Sequence, residues 1–331
     1  MPAATRDGAF TLAKVSLLIV SWNAAEWLGR CLTALRGLPH EIIVLDNGSD
    51  DGSPDLVTRR FPECRLVRET TNLGFAGGVN AAARRATGDF LLLLNSDVEA
   101  TPGSVDRLAA FLGARPDCAA VAGLLVDEAG RPQLGWNVRR LPTLLSLATN
   151  LLLIDRLWPG NPVRRRALAL DIDISAPLRV EQPAAACLML RRSVFERIGG
   201  MDEVFHPAWF EDVDLCRRLY EEGAHVWLVP AAVFRHRGGV ARGRLGKRGF
   251  AVVWYRNLER YVAKHHGSAA LAAVKVLVVI GMILRMGVGL LTGQREAVRA
   301  HAGVLRGTMT GWKNSGQRAA GGRQSTVGGG Q

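Results

Sequence analysis

Val15-Ser16-Leu17-Leu18-Ile19-Val20-Ser21-Trp22-Asn23 is the stretch from which the fold class follows. A short apolar run closed by a turn residue is too brief for a helix and too apolar for a surface strand, so it predicts a buried strand. Ala24 to Leu35 comes next, with Trp27, Leu28, Cys31, Leu32 and Leu35 on one helical face. The alternation then repeats. Glu41 to Asp46, Arg65 to Arg68, Phe90 to Asn95 and Ala119 to Val126 predict strands. Helices are expected after Ser53, which is placed to cap with Pro54 at the first position, over Phe75 to Ala86, and after Thr101-Pro102. Alternating strands and helices predict an α/β fold with a mostly parallel central sheet covered on both faces. Ligands of such sheets bind beyond the carboxyl ends of the strands, where Asn23, Asp46 and Asn95-Ser96-Asp97 all fall.

A second chemical signal lies later, in Phe210-Glu211-Asp212-Val213-Asp214-Leu215-Cys216-Arg217-Arg218. Acids here open an amphipathic helix, with Leu215 and Leu219 on its apolar stripe and Arg217 and Arg218 turned away from it. His236 follows the apolar segment Val226 to Pro230. A carboxylate at a strand end, another at a helix start and a late histidine together suit a metal site beside a general base. Asp214 reads as a helix acid, and His206, His225, His265 and His266 have no comparable support.

The bulk numbers limit the alternatives. The 331 residues are 48% hydrophobic, enough for one large domain with an appendage. The five cysteines are scattered without a Cys-x-x-Cys pair, the pattern of reduced structural thiols in a cytosolic protein. No secretory signal peptide is visible. The net charge of +12 is concentrated towards the C-terminus, where Phe234 to Lys313 carries fifteen Lys and Arg against Glu259 and Glu296. That excess calls for an anionic partner, and a membrane surface fits better than nucleic acid, because the basic residues flank apolar runs and no nucleic-acid motif appears. Gly135 to Pro177 is irregular, with Arg164-Arg165-Arg166 and several prolines, and reads as a surface excursion or lid. Phe250 to Tyr261 predicts a helix. Ala269 to Leu291 is strongly apolar but interrupted by Lys275 and Arg285, which argues for a helix lying in the membrane interface rather than a simple span.

The motifs in order resemble family 2 glycosyltransferases of the GT-A fold, and most closely their rhamnosyltransferase-like branch. The matching text is Ile19-Val20-Ser21-Trp22-Asn23, Val44-Leu45-Asp46-Asn47-Gly48-Ser49 through Ser53, Asn72-Leu73-Gly74-Phe75-Ala76-Gly77-Gly78-Val79-Asn80, Leu94-Asn95-Ser96-Asp97 and Phe210 to Leu215. It covers about Val15 to Gly239. The resemblance implies an inverting transfer from a nucleoside-diphosphate sugar, dTDP-rhamnose above all, to a lipid-linked or cell-surface glycan. UDP-hexose transfer and a noncatalytic sugar-nucleotide-binding scaffold are the alternatives. It further implies Asp212 as general base, with Glu211 as its rival or as an orienting group. Asp97 and His236 are implied as ligands of Mg2+ or Mn2+, with Asn95 standing where a first aspartate is usual and contacting ribose or diphosphate instead. Ser21, Asn23, Asp46, Gly74, Phe75, Gly77 and Asn80 are the expected donor contacts, the glycines by letting backbone approach a phosphate or ring. Trp209 reads equally as an acceptor-stacking or a packing aromatic. The expected organisation is a GT-A domain over 14–240, a helical membrane-associating or packing region over 241–313 and a disordered tail over 314–331. The expected location is cytoplasmic, peripheral at the inner face of the plasma membrane.

Overall fold

In a computed structural model, residues 14–312 are described. The expected disordered tail therefore lies outside the described residues.

The first half follows the alternation of the sequence. β1 (Val15–Ser21), α1 (Ala25–Leu35), β2 (Glu41–Asn47), α2 (Ser53–Arg60), β3 (Arg65–Glu69), α3 (Gly74–Ala83) and β4 (Phe90–Asn95) build the unit β3-β2-β1-β4, all parallel. β5 (Val98–Ala100), α4 (Ser104–Gly113) and β6 (Cys118–Val126) come next. Then follow β7 (Val138–Arg139), three short helices α5 (Leu144–Leu151), α6 (Ile154–Leu157) and α7 (Pro162–Ala167), β8 (Leu178–Val180), β9 (Gln182–Pro183), β10 (Cys187–Arg191) and α8 (Arg192–Arg197). The chain closes with α9 (Glu211–Glu221), β11 (His225–His236), α10 (Val240–Leu291) and α11 (Arg295–Thr310).

The sheet is ordered β3-β2-β1-β4-β10-β6-β11-β5, with β8 also on β11. It is mixed: β10 runs antiparallel between β4 and β6, and β5 and β8 run antiparallel to β11. Six strands still share one direction, so their carboxyl ends meet on one edge. Apolar layers cover both faces, one around Leu28, Leu32 and Leu92 and the other around Val79, Leu93 and Leu188.

Local differences from the sequence reading have simple causes. Gly52, in the left-handed region at φ 82°, precedes α2, so Ser53 is its first residue and not its cap. Asp51 instead accepts the Ser53 amide at 3.0 Å. The irregular 135–177 region holds three short helices, one opened by a capping box between Thr143 and Ser146. Phe250 to Tyr261 and Ala269 to Leu291 belong to one helical run that changes direction at Gly246 and Gly267, where φ is 65° and 81°.

The C-terminal helices meet the sheet domain through charge as well as apolar packing. Leu258, Tyr261, Val274, Val278 and Met282 of α10 bury against Leu147 and Leu151 of α5 and Phe210 before α9. Asp214 is fully buried and is no simple helix acid. Its carboxylate takes Arg218 at 2.8 Å, Lys264 at 2.6 Å and His265 at 2.8 Å. Arg218 therefore does not turn away from the core, and His265 has a structural role. Removing the carboxylate leaves Arg218, mostly buried, without its acid, while Lys264 keeps Asp202 at 2.7 Å. Asp214→Ala is expected to cost about 3–5 kcal/mol of stability, read as a lower urea midpoint, whereas Arg217→Ala, which removes a surface pair with Glu221, should cost about 0.5 kcal/mol or less.

Candidate active site

Parallel strand ends supply one wall. Ser21 pairs with Asp46, and Val20 with Asn95, across adjacent strands. The Ser21 hydroxyl and the Asp46 Oδ1 are buried without a hydrogen-bond partner, while Asp46 Oδ2 accepts the Ser49 amide at 3.2 Å. Buried polar atoms are normally satisfied, so these two are open to a water or a polar ligand at the strand ends. Asp46, Gly48, Ser49, Arg68, Glu69 and Thr70 line an adjoining cleft of about 430 Å³. A larger hollow of about 560 Å³ flanks α1 and α2 and holds none of the expected site residues.

Asp97 and His236, distant in sequence, meet because β5 pairs antiparallel with β11 in a register opposing Val98 to His236. His236 Nε2 stands 3.6 Å from Asp97 Oδ1, too far for a hydrogen bond. Both side chains are nearly inaccessible, so His236 is not a surface residue of a basic loop. Gln133 fixes its tautomer. The Gln133 amide nitrogen donates to the His236 carbonyl at 2.7 Å, which leaves Gln133 Oε1 to accept from His236 Nδ1 at 2.9 Å. The Nε2 lone pair then faces Asp97. Burial holds the imidazole below its ordinary pKa, against the opposing pull of Asp97. A carboxylate and a neutral imidazole suit Mn2+ or Mg2+, and two ligands each about 2.1 Å from one ion stand at most ~4.2 Å apart. Among the described residues no third His, Cys, Asp or Glu joins them. The pair could supply two positions to a divalent ion, with the others left to water or a ligand.

Glu211 and Asp212 at the start of α9 form a second acidic group. Glu211 is buried, with Oε2 unpartnered. Asp212 Oδ1 accepts its neighbour's amide, that of Val213, at 2.8 Å, and Oδ2 faces Gln182 Nε2 at 3.4 Å. The β7–β9 ribbon, in which Arg139 opposes Gln182, carries both Gln182 and Arg139 towards Asp212. Burial raises the Glu211 carboxyl well above the ordinary range, and Asp212 raises it further. Burial also raises Asp212, but the Arg139 guanidinium opposes the rise. Asp212 is thus the better placed of the two to be ionised near neutrality, which suits a base.

The approach to these carboxylates is strained. Trp209 and Phe210 both take left-handed backbone, at φ 70° and 75°, a conformation that costs bulky residues roughly 1–2 kcal/mol each. Asn257 of α10 holds this corner, donating to the carbonyls of Phe205 at 2.6 Å, Ala208 at 2.9 Å and Trp209 at 3.1 Å. The Trp209 ring packs edge-on to Phe250.

Other expected donor contacts also make scaffold contacts. Asn23 binds the Asp50 amide through Oδ1 at 2.8 Å, and its own backbone amide donates to Ser49, so it ties two loops together. Gly74 takes φ 76°, and a Cβ there would press on His206 and Pro207. Gly77 packs beside Leu73 and Glu203. The Phe75 ring sits against the apolar core while its amide donates to Pro207 at 2.7 Å. The Asn80 amide is committed at both ends, to the Met201 backbone and Glu203. Asn95 stands half-exposed at its strand end, its amide bonded to Ala186. Gln133, Arg139, Gln182 and Asn257 carry no local signal: each lies outside the acidic motifs, and three occupy irregular segments or two-residue strands.

The model of Glycosyl transferase family 2 matches residues 16–199. The chain belongs to this family. It is a glycosyltransferase, and at 30% identity over 246 residues it is similar to the N-acetylglucosaminyl-diphospho-decaprenol L-rhamnosyltransferase of Mycobacterium tuberculosis, covering 69% of this chain and 77% of that protein. The pre-mycofactocin glycosyltransferase of the same species is also 30% identical, over 67% of this chain and 42% of that protein. Among solved structures, the mannosyltransferase PcManGT of Pyrobaculum calidifontis in complex with GDP-Man and Mn2+ aligns over 90% of this chain and 76% of its own, with TM-score 0.52 and 17% identity. GalNAc-T7 with UDP, GalNAc and Mn2+ aligns over 73% and 48%, with TM-score 0.51 and 16% identity. These likenesses establish the GT-A fold expected from the motif series.

Two outcomes are expected of the acidic pair. Asp212→Asn should lower transfer by about 10²–10⁴-fold while leaving donor binding intact, which calorimetry beside a transfer assay checks. If Asp212 must be ionised, activity falls as pH drops through its raised pKa. Arg139→Met removes the opposing cation, so the acidic limb of the kcat profile should move to higher pH.

Proposed function

We propose that this glycosyltransferase is an inverting enzyme that moves rhamnose from dTDP-rhamnose to a lipid-linked glycan at the cytoplasmic face of a membrane. The observations that carry the chemistry are two pairs: Asp97 with His236, 3.6 Å apart where β5 meets β11, and the adjacent acids Glu211 and Asp212 at the start of α9. The 30% identical relative, named for rhamnosyl transfer to N-acetylglucosaminyl-diphospho-decaprenol, supports the choice of sugar and acceptor. The basic C-terminal region suits an acceptor with an anionic diphosphate and an apolar tail.

In this reading the nucleoside lies along Ser21, Asp46 and the 430 Å³ cleft, where the unpartnered Ser21 hydroxyl and Asp46 oxygen contact base or ribose. Asp97 and His236 Nε2 hold a divalent ion, whose Lewis acidity offsets the charge developing on the leaving diphosphate. Asp212 takes the proton of the acceptor hydroxyl as its oxygen bonds to the anomeric carbon. The bond from that carbon to the diphosphate breaks with its electron pair, so the nucleoside diphosphate departs from the face opposite to attack. Glu211, held protonated by burial, donates a hydrogen bond that orients the acceptor. Gln133 keeps His236 in the ligating tautomer, and Asn257 keeps the Trp209–Phe210 corner in place to aim Asp212. The C-terminal helices from residue 241 onward act in this scheme as the membrane-facing region of the enzyme.

Calorimetry with dTDP, UDP and GDP, with and without Mn2+, tests the donor. The expected result is Mn2+-dependent binding with dTDP preferred, lost in His236→Ala. A preference for UDP would replace rhamnose by another hexose, and no binding to folded protein would remove the catalytic reading.

A further inference from the structure

The apolar C-terminal helix leaves one face without a protein partner. Beyond Gly267 its inward residues Val274, Val278 and Met282 are buried against α5. On the other side Val276, Ile280, Ile283, Leu284, Val288 and Leu291 are exposed. Their spacing of three and four residues places them on a single stripe. This part of α10 holds an 18-residue window of mean hydropathy 2.3, of which only 22% is buried. A second exposed apolar site lies at the end of α6, where Leu157 is 83% and Trp158 60% exposed. The exposed leucine and tryptophan follow α5, the helix against which α10 packs, and such exposed apolar groups mark an interaction surface.

Length alone would let residues 268–291 cross a bilayer, because 24 helical residues extend about 36 Å. Packing argues against it. A Cβ at Gly281 would collide with the Leu151 carbonyl, so the two helices touch at backbone. Arg285 reaches back to donate to the carbonyls of Asn150, at 2.9 Å, and Leu151. Withdrawing α10 into a membrane would expose these carbonyls and the apolar face of α5.

Charge indicates the occupant. From Leu141 to Leu170 there are four arginines and one acid, Asp155. Arg156, Arg165 and Arg166 are exposed and form no ion pair among the described residues. On α10 Lys275 pairs with Glu259 at 3.8 Å and Arg285 is held by α5, so the unpaired cations are those of α6 and α7. Tryptophan, leucine and unpaired arginines are the composition that settles at an anionic headgroup boundary.

We propose that the Leu157–Trp158 corner and the outer stripe of α10 form a composite face that docks on an anionic bilayer without crossing it. This rests on the reading of a membrane-borne acceptor and adds the elements that touch the membrane. The α6 corner inserts its two side chains, the α10 stripe lies along the acyl boundary, and the α7 arginines face lipid phosphates. Docking through elements packed next to α9 keeps the acceptor's anionic head within the enzyme's reach while its tail stays in lipid.

Flotation of the full chain with phosphatidylcholine vesicles, with and without phosphatidylglycerol, tests the proposal. The wild type should float with the anionic vesicles and be released by alkaline carbonate. Leu157→Glu with Trp158→Glu should lower the bound fraction by ~10-fold or more, and so should Ile283→Glu. Arg165→Ala with Arg166→Ala should erase mainly the anionic preference. Nucleotide binding, measured on the same samples, should persist in all of them. Undiminished flotation of the Leu157/Trp158 variant would overturn the composite face, as would resistance of the wild type to carbonate, which means a span. A wild type that stays off vesicles but sediments as a dimer dispersed by Ile283→Glu would assign the stripe to a second copy and overturn the proposal. Flotation without nucleotide binding would sink the transferase reading and leave the docking face standing.

Discussion

A carboxylate with no access to water must be matched by cations or hydrogen-bond donors, and Asp214 imposes that condition on this fold. One partner, Arg218, sits a turn away on α9, but Lys264 and His265 come from α10. The charge can be buried only with α10 seated on α9. Once it is seated, Asn257 reaches the carbonyls of the 205–209 loop, and Phe210 closes against Trp254 and Tyr261. The C-terminal helix, which looks like an appendage in sequence, thus completes the wall bearing Glu211 and Asp212.

The strand ends are built by a different principle. Parallel strands bring Ser21, Asp46 and Asn95 to one edge through register alone. The short antiparallel pairing of β5 with β11 adds Asp97 and His236. Strand ends leave side chains unpaired by the ladder, so this edge can hold buried polar atoms poised for a ligand. The strain of Trp209 and Phe210 before α9 is the counterpart: an unfavourable backbone held by over-determined contacts from a neighbouring helix.

The environments of the two adjacent acids separate them. Glu211 is buried and Asp212 partly so, and the loss of water favours the protonated form of each. Arg139 stands beside Asp212, while Glu211 meets the repulsion of its neighbour with no such cation. The two acids thus meet opposite charges. A two-residue strand, β7, that contributes almost nothing to the core makes this distinction.

Much of the scaffold was legible in the sequence. Val15–Ser21 and Phe90–Asn95 are continuous apolar runs ended by polar residues, and burial on both sides of a sheet demands that pattern. Asp46, Asp97 and Asp212 stood out because a charged group at the end of an apolar element needs a reason. The roles of Asn80, Gly74 and Asn23 were not legible, since an amide or glycine in a loop reads the same whether it meets ligand or protein. Their partners, Met201, His206 and Asp50, are supplied by the tertiary fold. The same holds for Gln133 and Asn257, whose hydrogen bonds join segments far apart along the chain. Periodicity and composition act over a few residues and so determined the elements, their polarity and the acids at their ends. Register, burial and long-range hydrogen bonds exist only in the assembled chain, and they alone decided which acid stands beside a cation, which nitrogen of His236 is free and which face of α10 is left bare.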